Sequence, residues 1–312
     1  MNPLNGLLLI DKPTGVTSHD VVYKVRRVLG LRGVGHAGTL DPLASGLLVL
    51  LIGEATKVSD YLLNGDKGYE LKVRLGVKTD SMDITGQVLA EAPVEASAER
   101  IREAALSLSG PLELEVPVHS AVKVDGKRLY KFAHKGERPE NVPTRTMTFY
   151  DIEVMSVDEG SVRVRLRCSK GSFVRAWANR LGEVLGCGGT VETLRRLYSA
   201  PFSVESAIGL EELESRWESR NERHGKEIGS AWIPLRDSLP HFARVDVGGA
   251  EELLMKNGQI PAAIKPDLLR LGQNGPAMPP VRVISRETDD LLAILLAAPG
   301  EFYKIKRVFH RA

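Results

Sequence analysis

Apolar and polar residues repeat with different periods along the chain, and these periods predict its helices and strands. Strict alternation over residues 69–76 and 162–168 indicates strands with one buried face. The glycine-bounded apolar run 47–52 is typical of a fully buried strand, although periodicity alone leaves a short buried helix open. Further strands are predicted at 6–10, 281–285, 291–296 and 303–309. Helical spacing predicts helices at 17–30, 97–108, 174–186, 210–225 and 249–258, and a short one ending at Leu63.

Length and composition add limits to this pattern. A chain of 312 residues with 43% hydrophobic and 26% charged residues is expected to form two globular domains, and Pro234 to Pro240 reads as their linker or boundary. The net charge of +2 does not identify a nucleic-acid partner, so the local distribution of charge must. Two cysteines, Cys168 and Cys187, fit buried residues in a reducing compartment.

Several classes of protein are not expected from these data. The sequence has no Cys/His grouping with zinc spacing, no N-terminal signal segment and no apolar run of membrane-spanning length. We therefore expect a cytoplasmic protein that uses no metal and contacts no membrane.

A glycine-rich polar loop before the apolar run carries the candidate chemistry. It presents His36, Thr39 and Asp41 among closely spaced glycines, which let the backbone approach a ligand. Asp41 before Pro42 is also typical of a helix start, with Asp as N-cap and Pro as the first helical residue. On local chemistry this structural role is the commoner one for Asp41, and His36 by itself is more often a loop or core histidine.

The whole string favours a catalytic interpretation. Gly-His-Ala-Gly-Thr-Leu-Asp-Pro-Leu-Ala-Ser-Gly, at residues 35–46, closely resembles the signature of the TruB family, tRNA pseudouridine synthases that act on uridine 55. Further segments resemble the family in order: 11–18, the strand opening at Tyr69, and segments 79–86, 170–175 and 187–197. The resemblance implies an α+β fold: a mixed or antiparallel catalytic sheet flanked by helices at 1–237, and a small, mostly β, PUA-like RNA-binding domain at 238–312.

The resemblance also assigns roles to residues outside the loop. Asp41 becomes the nucleophile, Arg175 its partner, and Tyr69 an active-site tyrosine instead of a plain core residue. An adjacent guanidinium favours an ionised carboxylate and fixes its orientation. Leu194 would line the uracil pocket, and His36 would contact the substrate nucleotide or help to hold its flipped conformation.

One residue in this set departs from the family. Phe173 stands where TruB proteins commonly have Tyr. Its ring can still stack on the uracil, but it has no hydroxyl group that could take part in proton transfer.

Two other segments have more than one interpretation. Lys12, in the opening motif, could contact phosphate or orient the catalytic loop, but a solvated turn lysine is as good an interpretation. Asp80 and Asp83 could suggest a metal site or an acid/base pair. We favour Asx turns or lysine pairing for them, because pseudouridine formation needs no metal.

Basic residues concentrate in two places. Residues 123–146 hold seven Lys or Arg against three Asp or Glu, interleaved with aromatic residues, and read either as a solvated face or as a protruding RNA clamp. The TruB resemblance favours the clamp, whose expected RNA-binding residues are Lys123, Lys127, Arg128, Lys131 and Arg145. In the second place, Arg163 and Arg165 belong to an arginine row on one strand face. Such a row needs either RNA phosphate or carboxylates of a neighbouring strand opposite it.

The expected reaction breaks the N1–C1′ bond of uridine, turns the base and rejoins it through C5, so no cofactor is expected. Asp41 would attack C6 or C1′, or the reaction would begin with a deprotonation that gives a glycal. The target base must leave its stack, and Tyr69 is a candidate for handling the C5 proton. We expect a monomer that acts on the T stem-loop of tRNA. The alternatives are a guide-RNA-dependent synthase subunit and a non-catalytic tRNA-binding or folding protein.

Overall fold

The computed structural model describes residues 4–310 except for 125, 134–136, 138–140, 219–224, 274–276 and 299–300. Within these residues one large sheet holds ten strands, a second holds four, and two small hairpins complete the β structure. The strands are β1 (Gly6–Lys12), β2 (Val34–His36), β3 (Ser45–Ile52), β4 (Lys67–Leu75), β5 (Val77–Thr79), β6 (Val88–Glu91), β7 (Gly110–Glu115), β8 (Lys123–Val124), β9 (Lys127–Arg128), β10 (Thr144–Asp158), β11 (Ser161–Cys168), β12 (Gly189–Ser199), β13 (Phe202–Ser203), β14 (Trp232–Pro234), β15 (Ala243–Val247), β16 (Val281–Ser285), β17 (Leu291–Ala298) and β18 (Glu301–Val308).

The helices flank these sheets. They are α1 (Ser18–Leu29), α2 (Ser59–Leu63), α3 (Ala98–Ser107), α4 (Tyr130–Ala133), α5 (Val174–Leu185), α6 (Leu210–Glu218), α7 (Ala250–Lys256) and α8 (Lys265–Gln273), with 3₁₀ turns at Gly53–Val58, Val204–Ser206, Gly225–Ala231, Leu235–Asp237 and Ala262–Ile264. The α+β class with a mixed central sheet is thus confirmed.

The large sheet places the glycine-rich loop at its centre. Eight of its ten strands run in the order β14-β1-β3-β12-β4-β11-β10-β7, while β2 pairs with β3 and β13 with β12, and most neighbours are antiparallel. The β3–β12 pair is parallel, with Ser45 opposite Arg195 and Gly46 opposite Arg196. Gly46 has φ of +97°, and a Cβ there would collide with the backbone of Arg196. Only glycine at this position therefore allows the first residues of β3 to lie this close to the backbone of β12.

Local signals determine the first helix as expected. The Thr17 hydroxyl accepts from Asp20 N while the Asp20 carboxylate accepts from Thr17 N, which forms a capping box at the start of α1. Gly30 ends the helix with φ of +68°, in the left-handed region. Ser97 caps α3 in a similar way by accepting from Arg100 N.

The helix start predicted at Asp41 is wrong. Asp41 begins a tight turn in which Ala44 N donates to Asp41 O at 3.1 Å, and the chain enters β3 at Ser45. The preference of an Asp-Pro pair for a helix start is a local effect of about 1 kcal/mol. Pairing of β3 with β1 and β12, which buries the apolar run, outweighs it.

The smaller sheet, of order β15-β16-β17-β18, forms the predicted C-terminal β module. One face covers its own apolar core, which includes Val247, Met255 and Leu268. Residues on the other side, including Ile294 and Phe309, join the main core. Hydrogen bonds from Lys57 Nζ to Val308 O (3.1 Å) and from Arg307 Nε to Lys57 O (3.4 Å) fix the last strand beside the turn after β3.

The segment predicted as a linker at Pro234 to Pro240 is packed into the fold. Pro234 lies opposite Gly6 of β1, and Ser238 and Leu239 are buried. The apolar residues among the prolines explain the difference, since their burial fixes a stretch that composition marks as a boundary.

The remaining predictions concern a helix, the cysteines and membrane spans. Of the helix predicted at 210–225, the structure has Leu210–Glu218, and residues 219–224 lie outside the described residues. Cys168 and Cys187 are free and buried, and burial raises the pKa of the Cys168 thiol to about 12. Over the described parts of the chain, no helix is long and apolar enough to cross a membrane.

Candidate active site

A cavity of about 370 Å³ opens where the glycine-rich loop meets β4, β12 and the start of α5. This volume lies within the roughly 300–1,000 Å³ typical of small-ligand sites. The structure brings five of the six predicted catalytic and substrate-binding residues to its walls: Asp41, Tyr69, Phe173, Arg175 and Leu194. They come from four separate segments of the chain, so the fold alone makes them neighbours.

Asp41 and Arg175 form an ion pair in this cavity. Arg175 Nε lies 3.0 Å from Asp41 Oδ2. The Arg175 side chain is only 5% exposed, whereas that of Asp41 is 39% exposed. A buried guanidinium thus holds a carboxylate that a ligand in the cavity can still reach, which is the arrangement expected for an oriented nucleophile.

Other contacts hold Arg175 in turn. Its Nη1 donates to Ser81 O at 2.7 Å, and its Nη2 donates to His119 O at 2.9 Å. Asp83 Oδ2 lies 3.6 Å from Nη1, while Asp83 Oδ1 accepts from Ser81 Oγ and from Thr85 N. The acidic loop therefore supports Arg175 through an Asx turn, as favoured from the sequence, although Asp83 pairs with this arginine and not with a lysine.

Arg196 is a second buried arginine, to which the sequence assigned no role. Its Nε donates to Leu47 O at 2.7 Å, and its Nη groups donate to Gly38 O and Thr39 O at 3.1 and 3.4 Å. These carbonyls belong to the loop that carries Asp41 and to the strand that follows it. Arg196 therefore ties the catalytic loop and the start of β3 to β12.

Tyr69 lies half-buried between these groups. Burial raises the pKa of its phenol, while the neighbouring Arg196 guanidinium acts in the opposite direction. The phenol is thus protonated at neutral pH, next to a cation that stabilises the phenolate when a proton leaves. Phe173 and the buried Leu194 complete an apolar wall against which a planar base can pack.

His36 lies outside the set of residues that line this cavity. It ends β2, opposite Leu50 of β3, and its ring centroid is 6.0 Å from that of His19 on α1. Burial lowers the pKa of His36, and His19 and Arg196 lower it further. Its Nδ1 is buried without a hydrogen-bond partner among the residues that the structure describes. The predicted contact of His36 with the substrate nucleotide stays a prediction.

Lys12 is not a solvated turn lysine. Its side chain is fully buried, and Nζ donates to Pro13 O and Val16 O at 2.8 Å each. Burial lowers the pKa of Lys12 to about 8, although Asp41 raises it. This geometry agrees with the alternative in which Lys12 orients the loop, since it ties the turn after β1 beside Asp41.

The basic segment 123–146, called the basic insertion below, begins and ends at the wall of the cavity. Ser120 and Val122 line the cavity, and the exposed hairpin β8–β9 follows them directly, with Lys123 opposite Arg128. Buried Leu129 anchors the hairpin through a hydrogen bond from its N to Val122 O at 2.8 Å. Arg145, exposed at the other end of the insertion, also lines the cavity. Lys135, His134 and Arg138, counted in the predicted clamp, lie outside the described residues.

The arginine row of β11 has carboxylates opposite it. Glu70 of β4 accepts from Arg163 and Arg165 at 3.2 and 3.1 Å, and Arg167 lies 3.5 Å from Asp151 of β10. By the alternation of side chains along β4, Glu70 points to the face opposite Tyr69. The structure thus contains the carboxylate pairing that was one of the two interpretations of this row, and the contact of Arg163 and Arg165 with RNA stays a prediction.

Within the described ranges, no group of three or more His, Cys, Asp or Glu side chains could hold a metal ion. The polar contacts of Asp41 and Asp83 are instead those with arginine, hydroxyl and backbone groups.

Family models match adjoining parts of the chain. Residues 26–174 match the model of the TruB family pseudouridylate synthase N-terminal domain, and residues 175–239 match that of the tRNA pseudouridylate synthase B C-terminal domain. The two matches meet between Val174 and Arg175, so the first contains Asp41, Tyr69 and Phe173 and the second contains Arg175 and Leu194.

Whole-chain comparisons agree with these matches. The tRNA pseudouridine synthase B of Bdellovibrio bacteriovorus is 41% identical over 309 residues, covering 99% of this chain and 98% of that protein. The protein of the same name from Aromatoleum aromaticum is 41% identical over 261 residues, covering 83% of this chain and 82% of that protein.

Solved structures show the same fold at lower sequence identity. A chain of an H/ACA RNP bound to a substrate RNA containing 2′-deoxyuridine has a TM-score of 0.70 and 21% identity, covering 98% of this chain and 85% of that one. A chain of a Cbf5-Nop10-Gar1 complex has the same TM-score and the same coverage, with 24% identity. These structures share the fold, and the family-model matches and the relatives at 41% identity establish that the chain belongs to the TruB family of pseudouridylate synthases.

Proposed function

We propose that this pseudouridine synthase converts uridine 55 in the T-loop of tRNA to pseudouridine, with Asp41 as the nucleophile. The observation that carries the proposal is the Asp41–Arg175 ion pair at the wall of a cavity lined by Tyr69, Phe173 and Leu194. Relatives at 41% identity bear the name tRNA pseudouridine synthase B, which supports tRNA as the substrate.

The reaction needs a base outside its stack, and the cavity can hold one. Removing a base from the stack costs a few kcal/mol, which contacts in the pocket and to phosphate offset. The uracil ring would pack against Phe173, Tyr69 and Leu194, with its reacting edge toward Asp41. His36, outside the cavity, would contact the substrate nucleotide or help to hold the flipped conformation.

Proton transfer falls to Tyr69. Formation of the C5–C1′ bond and cleavage of the N1–C1′ bond leave a hydrogen on C5 that must be removed. Tyr69 would accept this proton as a phenolate, which the neighbouring Arg196 guanidinium stabilises against the effect of burial. The phenol would first release its own proton to solvent, and the proton taken from C5 would restore the neutral phenol. Phe173 has no hydroxyl, so it contributes packing alone.

The RNA would be gripped on the rim of the cavity. We assign this to the exposed hairpin residues Lys123, Lys127 and Arg128, to Lys131, and to Arg145, which lines the cavity itself. The C-terminal module, with residues 238–312 as the proposed domain, would act as a PUA-like second contact for RNA. We propose that the chain acts as a monomer in the cytoplasm and without a cofactor.

A position-resolved pseudouridine map of tRNA tests this assignment. Purified protein, with no accessory protein or guide RNA, is incubated with unmodified tRNA, and pseudouridine is located by carbodiimide labelling. We expect one new site, at position 55. A map without product would favour the non-catalytic or guide-dependent alternatives, and product at another position would overturn the substrate assignment.

A further inference from the structure

Helix α1 presents an exposed ridge to which neither the sequence motifs nor the cavity assigns a role. Its residues His19, Tyr23 and Arg27 follow each other at a spacing of four and are all exposed. Residues four apart on a helix are neighbours on one face. We call these three side chains the α1 ridge.

The other charged residues of α1 point elsewhere and are paired. Lys24 Nζ lies 3.1 Å from Glu214 on α6, and Arg26 Nη2 donates to Val34 O of β2 at 2.7 Å. Asp20 is bonded to Thr17 in the capping box. No carboxylate of the described chain lies within ion-pair distance of Arg27, or of Arg32, which is exposed in the turn after the helix. Arg27 and Arg32 therefore present two positive charges that no carboxylate of the described chain cancels.

The ridge begins at the catalytic loop. Ser18, the first residue of α1, binds both backbone groups of Leu40: its Oγ accepts from Leu40 N at 2.8 Å and donates to Leu40 O at 3.0 Å. The next residue in the chain is Asp41. His19 in turn lies beside His36, at 6.0 Å between ring centroids. From there to Arg27 the helix extends by roughly 12 Å, at about 1.5 Å per residue.

Tyr23 gives the ridge an aromatic component. Its side chain is 70% exposed, which is unusual for a ring of this size without a covering partner. An exposed ring between basic side chains offers a stacking surface beside phosphate-binding charges, the combination that single-stranded or unstacked RNA uses.

We propose that the α1 ridge, with Arg32, binds the backbone of the RNA segment that flanks the target uridine. Arg27 and Arg32 neutralise phosphates, and Tyr23 packs on a nucleotide of the same segment. The ridge then extends the RNA-binding surface from the catalytic loop along α1, on a different element from the basic insertion. This inference rests on the proposed function, because its ligand is the substrate RNA.

The test compares two double variants with the same change of charge. Arg27→Gln with Arg32→Gln, the ridge variant, removes one unpaired charge of the ridge and one of the turn that follows it, while Arg100→Gln with Arg102→Gln removes two exposed arginines of α3. Affinity for unmodified tRNA is measured from 50 to 300 mM salt. We expect the ridge variant to bind about tenfold more weakly, and its log–log salt slope to fall by roughly 1.4–1.8, at about 0.7–0.9 for each lost phosphate contact.

Turnover should equal the wild-type value in the α3 variant, whereas the ridge variant should need about tenfold more tRNA to reach half of its maximal rate. Tyr23→Ala should weaken binding about tenfold through lost stacking, and Tyr23→Phe should bind as the wild type does. If the ridge double variant matches the α3 variant in affinity and slope while the wild type binds and modifies tRNA, the ridge proposal is overturned. If the wild type neither binds nor modifies tRNA, the proposed function itself fails.

Discussion

Two sets of arginines in this protein differ in what their guanidinium groups contact. Arg175 and Arg196 are buried and donate to backbone carbonyls of loops that are distant in sequence. Arg163, Arg165 and Arg167 on β11 are about half exposed, at 46–48% of the side chain, and face carboxylates of the adjacent strands. The first set fixes the position of the chain around the cavity, and the second balances charge on a sheet surface.

The difference shows that the number of arginines in a segment does not reveal their role. Exposed ion pairs contribute little to stability, about 0–1 kcal/mol each, because water screens them. A buried donor that satisfies several carbonyls contributes more, because its loss leaves those carbonyls without partners. The comparison therefore predicts a ranking of mutational effects.

The largest effect is expected for Arg196→Met. The change leaves three carbonyl oxygens, of Gly38, Thr39 and Leu47, without their donor, so the free energy of unfolding should fall by about 3 kcal/mol. Urea denaturation measures this. Arg195→Met is the matched control, since Arg195 precedes Arg196 in β12 and pairs with Asp11 at a half-exposed site. Equal losses for both variants would remove the distinction between buried and exposed arginines.

Arg175→Lys should lower turnover about a hundredfold, with little change in tRNA affinity. Lysine keeps the charge but cannot reach Asp41, Ser81 O and His119 O at once, and misplacement of a catalytic group by about 1 Å costs a factor of this size. Single-turnover rates at saturating RNA measure the effect. Arg180→Lys, on the exposed side of the same helix, should keep the wild-type rate. A wild-type rate for Arg175→Lys would mean that positive charge alone suffices beside Asp41.

A smaller effect is expected in the pH dependence of stability, through Lys12. Its pKa is about 8 in the folded protein against an ordinary 10.5, so between these values the unfolded chain binds more protons. The free energy of unfolding contributed by Lys12 must therefore rise with pH in that interval, and the cost of burying its charge is fully present below pH 8.

The Lys12→Met variant isolates this contribution. Between pH 7.5 and pH 10, the wild type should gain stability relative to the variant, as measured by urea denaturation at both pH values. Parallel pH profiles for the two proteins would show that Lys12 does not titrate in this interval.

The smallest effect is expected for Arg163→Gln with Arg165→Gln. Because Glu70 already pairs with both arginines, the free energy of unfolding should change by about 1 kcal/mol or less. The loss of tRNA affinity should be smaller than for Lys127→Gln with Arg128→Gln on the exposed hairpin. A larger loss of affinity for the β11 variant would show that RNA phosphate displaces Glu70 there. It would contradict the assignment of these arginines to charge balance on the sheet.

The sequence predicted most of the helices, the strands with a clear apolar pattern and about half of the residues that line the cavity. β11 alternates strictly, β3 is a continuous apolar run, and the capping box of α1 is a local feature, whereas the long strands β10 and β12 were not predicted. The prediction that Asp41 pairs with Arg175, 134 residues later in the chain, came from the resemblance to the TruB family. Periodicity does not indicate which distant residues are in contact.

What the sequence did not predict depends on tertiary contacts. The role of Arg196 depends on Leu47, 149 residues away, and on a register between β3 and β12 that only the folded sheet determines. The Asp-Pro pair at residue 41 was assigned a helix start because local propensity favours one, whereas strand pairing decided the outcome. The packed segment after Pro234 differs from its predicted linker character for the same reason, since Leu239 finds a place in the core.

The central claim is that Asp41, held by Arg175, is the group that reacts with the uridine. The most direct test is the rate of tritium release from C5 of labelled uridine 55 by Asp41→Asn under single-turnover conditions. Asp267→Asn, on exposed α8, is the control. We expect Asp41→Asn to bind the RNA as the wild type does and to lose at least about 10⁴-fold in rate, as removal of a nucleophile typically costs. Release at the wild-type rate by Asp41→Asn would contradict the claim.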